Sequence, residues 1–188
     1  MSEHKEEITL RFLVLIGNSG SGKSVLAQKL SQEHPELFTT AVQVTTRPRR
    51  ENTYDPYVFL DKYQYQQLTP LLLGKTNIDT PAGMTFYGTF LPISEKIIVI
   101  VLNETGLEDF KQYFTDNDCI NYESIIIGLV NHDFDKIQTL PGRKYRDSQF
   151  LKDEVEFTMS EASYTVDSTT NYATTKQIIE ILNDEEFI

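Results

Sequence analysis

Short apolar runs alternate with amphipathic stretches along this chain, and each change of period marks an element. Leu10-Arg11-Phe12-Leu13-Val14-Leu15-Ile16 suits a buried strand, and Val25-Leu26-Ala27-Gln28-Lys29-Leu30 has helical spacing. His34-Pro35-Glu36-Leu37 ends that helix, because proline cannot continue the hydrogen-bond ladder and turns the residue before it away from helix. Residues 38–46 are rich in β-branched side chains and predict one strand, which stops at Arg47-Pro48-Arg49-Arg50. An aromatic run at 54–60 predicts another strand, 61–68 a short capped helix, and 83–90 a strand punctuated by glycine. Residues 96–102 are almost continuously apolar and fit a parallel strand buried on both faces, with Asn103 and Glu104 at its carboxyl end. A helix at 107–114, a buried strand at 123–130, a polar and basic loop to residue 148 and an acidic-faced helix at 148–160 follow. A short strand at 164–167 and an amphipathic helix at 174–182 end the series. Strand and helix alternate in the manner of a doubly wound α/β core with a mostly parallel sheet.

The link between the first strand and the first helix carries the clearest chemistry. Gly17-Asn18-Ser19-Gly20-Ser21-Gly22-Lys23-Ser24 fits G-x-x-x-x-G-K-[ST] at every fixed position. Glycines let successive backbone N–H groups turn inward as a nest for phosphate oxygens, and the nest runs into a helix N-terminus. Lys23 adds a mobile positive charge, and the Ser24 hydroxyl can ligate a magnesium ion that bridges two phosphates. The alternative, a flexible Gly/Ser turn, does not call for a strand before the loop and a helix after it.

Composition narrows the partners. The chain has 188 residues, enough for one domain with short inserted parts, and a formal net charge of −11. Such an excess of acids argues against nucleic acid or an acidic membrane as partner, since both are polyanions held by Lys and Arg. Positive charge is instead concentrated at Arg47/Arg49/Arg50 and at Arg143/Lys144/Arg146. The first cluster falls at a strand end, where guanidinium forks can converge on a phosphate. The second lies in the polar loop and suggests a lid. One cysteine, Cys119, rules out an intramolecular disulfide framework, and it reads as an ordinary apolar residue. His4, His34 and His132 lack ligand spacing. The N-terminus carries no hydrophobic signal core, so the expected compartment is the cytoplasm.

With these motifs in place, the order of segments from about residue 10 to 182 resembles the guanylate kinase family. Beside the glycine loop, Val44-Thr45-Thr46-Arg47-Pro48-Arg49-Arg50 is similar to the family's Thr-Thr-Arg-x-Pro-Arg, and Phe86-Tyr87-Gly88-Thr89 to its Tyr-Gly-[Ser/Thr]. Tyr57-Val58-Phe59 is similar to its Tyr-x-Phe. The resemblance implies a P-loop three-layer α/β fold with an inserted acceptor-nucleotide-binding subdomain at 38–95 and a short lid at 131–150. The core would comprise 8–37, 96–130 and 151–188.

It also implies ATP and Mg2+ at residues 17–24, and transfer of the γ-phosphoryl group to a nucleoside monophosphate, most readily GMP. Lys23, Arg47, Arg50, Arg143 and Arg146 would then be the catalytic set. Arg47, Arg50, Tyr57 and Tyr87 would hold the acceptor phosphate, with Arg49 a competitor for the role of Arg50. Gln43 stands where the family has a base-reading serine, Thr89 would touch guanine, and Asn77 or Asp79 would take the place of its base-reading glutamate. Asn103 falls within the family's Asp-x-Asp. A binding module without catalysis, or a kinase of another small substrate, remains open on these departures.

Overall fold

The apolar run at residues 10–16 forms β1 (Leu10–Gly17), the middle strand of a five-stranded parallel sheet. The computed structural model describes residues 9–49, 56–80, 83–139, 148–170 and 173–188. Elements are numbered in chain order. Beside β1 lie β7 (Ile97–Val101) and β8 (Tyr122–Val130), then β2 (Phe38–Thr40) next to β7 and β9 (Tyr164–Asp167) next to β8. Phe12 to Leu15 pair with Ile98 to Val101, and Leu10 to Gly17 with Tyr122 to Leu129. Because all pairs are parallel, the carboxyl ends of β1, β2, β7 and β8 open on one edge. That edge is where open α/β sheets collect ligands.

Both faces of this sheet are covered, which explains the unbroken apolar runs. Leu13 and Leu15 pack with Leu26 and Leu30 of α1 (Lys23–Glu33) and with Ile178 and Leu182 of α6 (Thr175–Asp184). Phe12, Val14 and Ile16 point the other way, onto Leu107, Phe110 and Phe114 of α3 (Glu104–Asp116). Phe12 meets Phe110 edge-on at 5.1 Å. On the same side α5 (Ser148–Glu161) packs on β8. The layers are helix, sheet and helix.

A second sheet has the order β4-β3-β6-β5, with β3 (Val42–Thr45), β4 (Val58–Phe59), β5 (Leu73–Thr80) and β6 (Gly83–Phe90). One of its faces carries α2 (Lys62–Leu68), whose Tyr65 joins Val44, Leu72 and Phe86 in a small core. The Asp61 side chain accepts the Gln64 N–H and Gln64 Oε1 accepts the Asp61 N–H, so both ends of the capping box are made.

Three expectations are corrected here. Residues 38–46 form two strands and not one: β2 pairs with β7 only as far as Val99, and β7 ends two residues later at Val101. The Ala41 N–H still reaches the Val99 carbonyl at 2.9 Å, after which the chain takes β6 as its partner. The inserted part therefore begins at β3, and residues 38–40 belong to the core sheet. Secondly, β5 is a strand that the apolar pattern does not show. Thirdly, the polar stretch after β8 contains α4 (Phe134–Thr139) and is not loop throughout. Arg50, Arg143 and Arg146 lie outside the described residues. Cys119, read as an apolar residue, is exposed.

Candidate active site

The glycine loop leaves β1 at Gly17 and enters α1 at Lys23, with Gly22 as the N-cap in the left-handed region. Gly17 has φ 146°, and a Cβ there would stand 2.1 Å from the Leu129 carbonyl oxygen. Only glycine lets the loop lie this close against β8. Asn18 is fully buried; its Nδ2 donates to the Asn131 carbonyl at 2.6 Å, and its Oδ1 accepts the Asn131 N–H at 2.9 Å. This reciprocal pair fixes the loop to the carboxyl end of β8. Asn131 was legible in principle, since it follows an apolar strand on the ligand edge just as Asn103 does.

Within the loop, Lys23 Nζ donates to the carbonyls of Gly17 at 2.7 Å and Asn18 at 2.9 Å. Its ammonium is thus held over the nest. The Ser19 N–H donates to Glu154 Oε2 of α5 at 3.0 Å, so a carboxylate already meets one donor of the anion cradle. Ser19 Oγ is buried and finds no hydrogen-bond partner among the described residues. A buried hydroxyl of this kind, in a loop that also carries the Lys23 ammonium, fits a bound polyanion that would satisfy it. Ser24 is half-buried in the first turn of α1. Among the described residues no three His, Cys, Asp or Glu side chains gather to hold a metal. A magnesium ion here would therefore be held by Ser24 and by the phosphates themselves, which suits its preference for few protein ligands.

Beside the second sheet, three of the four residues expected to hold the acceptor phosphate, Arg47, Tyr57 and Tyr87, stand near one another, and the fourth, Arg50, lies outside the described residues. Arg47 is buried to 9% exposure; its N–H donates to Thr45 Oγ1 at 3.2 Å and its Nη1 to the Pro48 carbonyl at 2.9 Å. The guanidinium carbon lies 5.1 Å from the Tyr57 ring centre and 5.3 Å from that of Phe59. Tyr57 meets Tyr87 edge-on at 5.8 Å. Arg49 stacks on the other aromatic, 4.5 Å above Phe59. Aromatic faces hold both guanidinium planes without neutralising them. Phe59 thus packs against both arginines, whereas the resemblance named only Tyr57 of this segment, as part of the phosphate pocket.

Register decides which side chains share that face. Thr45 pairs with Tyr87 and Gln43 with Thr89, while Thr76 pairs with Tyr87 from the other side. These residues stand on the face turned away from α2. Asn77 pairs with Phe86 and Asp79 with Met84, which puts both on the α2 face. Asn77 lines a cavity there with Tyr65 and Phe86, and the cavity reaches round the edge of β5 to Lys75, Thr76 and Thr105. The structure thus separates the two candidate base-reading residues from Gln43, Tyr87 and Thr89. Sequence spacing missed this because β5 is irregular between Leu73 and Thr76, and one extra residue exchanges the two faces. Thr76 pairs with Tyr87 and, at the edge of the sheet, also lines the cavity that holds Asn77, which only the pairing and the packing reveal.

Asn103 caps α3: its Oδ1 accepts the Gly106 N–H at 3.0 Å. Below this site, Tyr65 Oη donates to the Tyr87 carbonyl at 2.8 Å, and burial, then the Asp109 carboxylate, raise its pKa above 10.0.

A parallel sheet with a glycine loop after its middle strand and an arginine-tyrosine cluster beside an inserted sheet defines a P-loop α/β protein with two candidate anion sites. Known proteins narrow the class. The guanylate kinase family model matches residues 9–69. The guanylate kinase of Helicobacter hepaticus is 32% identical over 114 residues, covering 55% of this chain and 54% of that protein. That of Nostoc is 28% identical over 114 residues, with 56% of each covered. The chain spans about half the length of these curated relatives. The crystal structure of guanylate kinase from Anaplasma phagocytophilum superposes with a TM-score of 0.58 at 18% identity, covering 97% of this chain and 89% of that one. The fold is that of the Anaplasma guanylate kinase, and over part of its length the sequence is similar to guanylate kinases.

Proposed function

We propose that this chain is an ATP-dependent nucleoside monophosphate kinase acting on GMP. The observation that carries the reading is the coexistence of a complete triphosphate cradle and a separate arginine-tyrosine anion pocket. Both are attached to the same carboxyl edge of one sheet: the first follows β1, and the second belongs to strands that follow β2. A protein that only bound ATP would have no use for the second.

ATP with magnesium would supply the transferable phosphoryl group and neutralise part of its charge. The chain's own residues would do the rest by position and charge, since phosphoryl transfer asks for little covalent chemistry from a protein. The phosphates would replace the Glu154 carboxylate at the Ser19 N–H and take neighbouring N–H groups of the loop and the Lys23 ammonium, and Ser24 would hold the ion. Arg47 and Arg50, with Tyr57 and Tyr87, would orient the acceptor phosphate for in-line approach. Arg143 and Arg146 would close over the donor and exclude water, which keeps the reaction from becoming hydrolysis.

The test is acceptor-dependent ADP formation in a coupled assay with ATP, magnesium and GMP. Turnover that requires both nucleotides supports the reading. Absence of turnover in folded protein, together with a melting-temperature rise on adding ATP and magnesium, would replace it with a nucleotide-binding module.

A further inference from the structure

α5 lies on β8 through Leu151, Val155 and Thr158, all buried. The approach is close: a Cβ on Gly128 of β8 would stand 2.6 Å from Thr158 Cγ2. Side chains three and four residues apart share a helix face, so Glu154, three after Leu151 and four before Thr158, belongs to the covered stripe. Its acidic neighbours on the helix, Asp153 and Glu156, are exposed, whereas Glu154 is half-buried. A carboxylate on a packed face calls for a partner.

One partner is the glycine loop. Glu154 Oε2 accepts the Ser19 N–H at 3.0 Å, while the Ser19 hydroxyl, on a residue 3% exposed, has no partner among the described residues. Beside them the Lys23 ammonium is held by loop carbonyls. A donor of the cradle is thus taken by the protein's own anion. A ligand must bring more than one oxygen to improve on it.

We propose that Glu154 is an internal competitor for the phosphate cradle, which admits polyphosphates and excludes single small anions. The proposal rests on the kinase reading above and goes beyond it by giving α5 a selecting role. A helix N-terminus of this kind otherwise takes any anion, orthophosphate and sulfate included. Exchanging the carboxylate for one phosphate loses one charge-assisted hydrogen bond and gains another, so little drives it. A triphosphate offsets the loss, because it also reaches the Ser19 hydroxyl, the Lys23 ammonium and the start of α1.

Calorimetric titration of the whole chain with orthophosphate, inorganic tripolyphosphate and ATP-magnesium tests this. Glu154→Gln keeps the shape of the side chain and removes its charge. Charge-assisted hydrogen bonds are about twice as strong as neutral ones, so the variant is expected to bind tripolyphosphate and ATP-magnesium about tenfold more tightly. It is also expected to bind orthophosphate, which wild type does not. Glu156→Gln removes the same charge from an exposed position on the same helix and should change each affinity by less than about threefold. ATP-magnesium affinity unchanged or weakened in Glu154→Gln, an equal gain in Glu156→Gln, or orthophosphate binding by wild type as tight as by Glu154→Gln would overturn the proposal. GMP phosphorylation by wild type would then leave the kinase reading intact. If wild type phosphorylates no acceptor, the kinase reading fails, and tripolyphosphate decides the proposal by itself: a gain of about tenfold upholds it, and no gain, or no binding by either protein, overturns it. Should Glu154→Gln fail to fold, Glu154→Asp takes its place, since it shortens the arm by one methylene and is expected to gain in the same direction; no gain would overturn the proposal.

Discussion

Lys23 is held by two carbonyls of its own loop, Gly17 and Asn18, and its ammonium lies where a triphosphate would neutralise it. Lys23→Ala is expected to lower turnover by about 10²–10³-fold, the usual loss when a single stabilising donor to the transition state is removed. The partly buried hydrogen bonds that its ammonium makes within the loop are each worth about 1 kcal/mol, so urea denaturation should show only a modest change in stability. A second residue reports on the acceptor side. Tyr65 keeps its proton above pH 10.0 in the folded state, because burial and the Asp109 carboxylate both disfavour the phenolate. The unfolded chain releases that proton first, so folding stability is full below pH 10 and falls as pH rises through the folded-state pKa. Tyr65→Phe removes this dependence. Denaturation profiles taken from neutral pH to about pH 11 should converge at the alkaline end, wild type losing stability that the variant does not. Parallel profiles would contradict the assignment.

Elements show how far the pattern of apolar positions reaches. β1, β7 and β8 were legible because both faces of each are buried, which writes an unbroken apolar run. α2 was legible from Asp61, whose capping box is formed with Gln64. β5 was not: Lys75, Thr76, Asn77 and Asp79 interrupt the apolar pattern, and the irregularity after Leu73 breaks the alternation that would mark a strand. The same irregularity explains why Asn77 and Asp79, plausible by spacing, fall on the α2 face. Glu154, whose carboxylate meets the loop at Ser19, lies on a helix far away in the chain and carries no sequence signal of that contact. α2 also supports the site from behind, through the bond from Tyr65 to the Tyr87 carbonyl. Asp61→Ala should cost about 1 kcal/mol of stability in urea denaturation. It should also raise KM for the acceptor several-fold and leave KM for ATP unchanged; an equal change in both would mean that α2 does not support the acceptor pocket selectively.

Over the whole molecule, a net charge of −11 coexists with the two clusters proposed to bind polyanionic ligands. The charges that matter are local: Lys23 over the nest, and Arg47 and Arg49 against Tyr57 and Phe59. Parallel topology brings these together, since β1 and β2 run the same way and their carboxyl ends carry the loop and the second sheet respectively. No described helix is long and apolar enough to cross a membrane. The central claim is that the loop and the arginine-tyrosine pocket act in one transfer. The most direct measurement follows radiolabel from [γ-³²P]ATP in the presence of magnesium and GMP, with products separated by chromatography. The account predicts label in GDP, and loss of that label when Arg47 is replaced by alanine. Label found only in inorganic phosphate, or retained in ATP by folded protein, would contradict it.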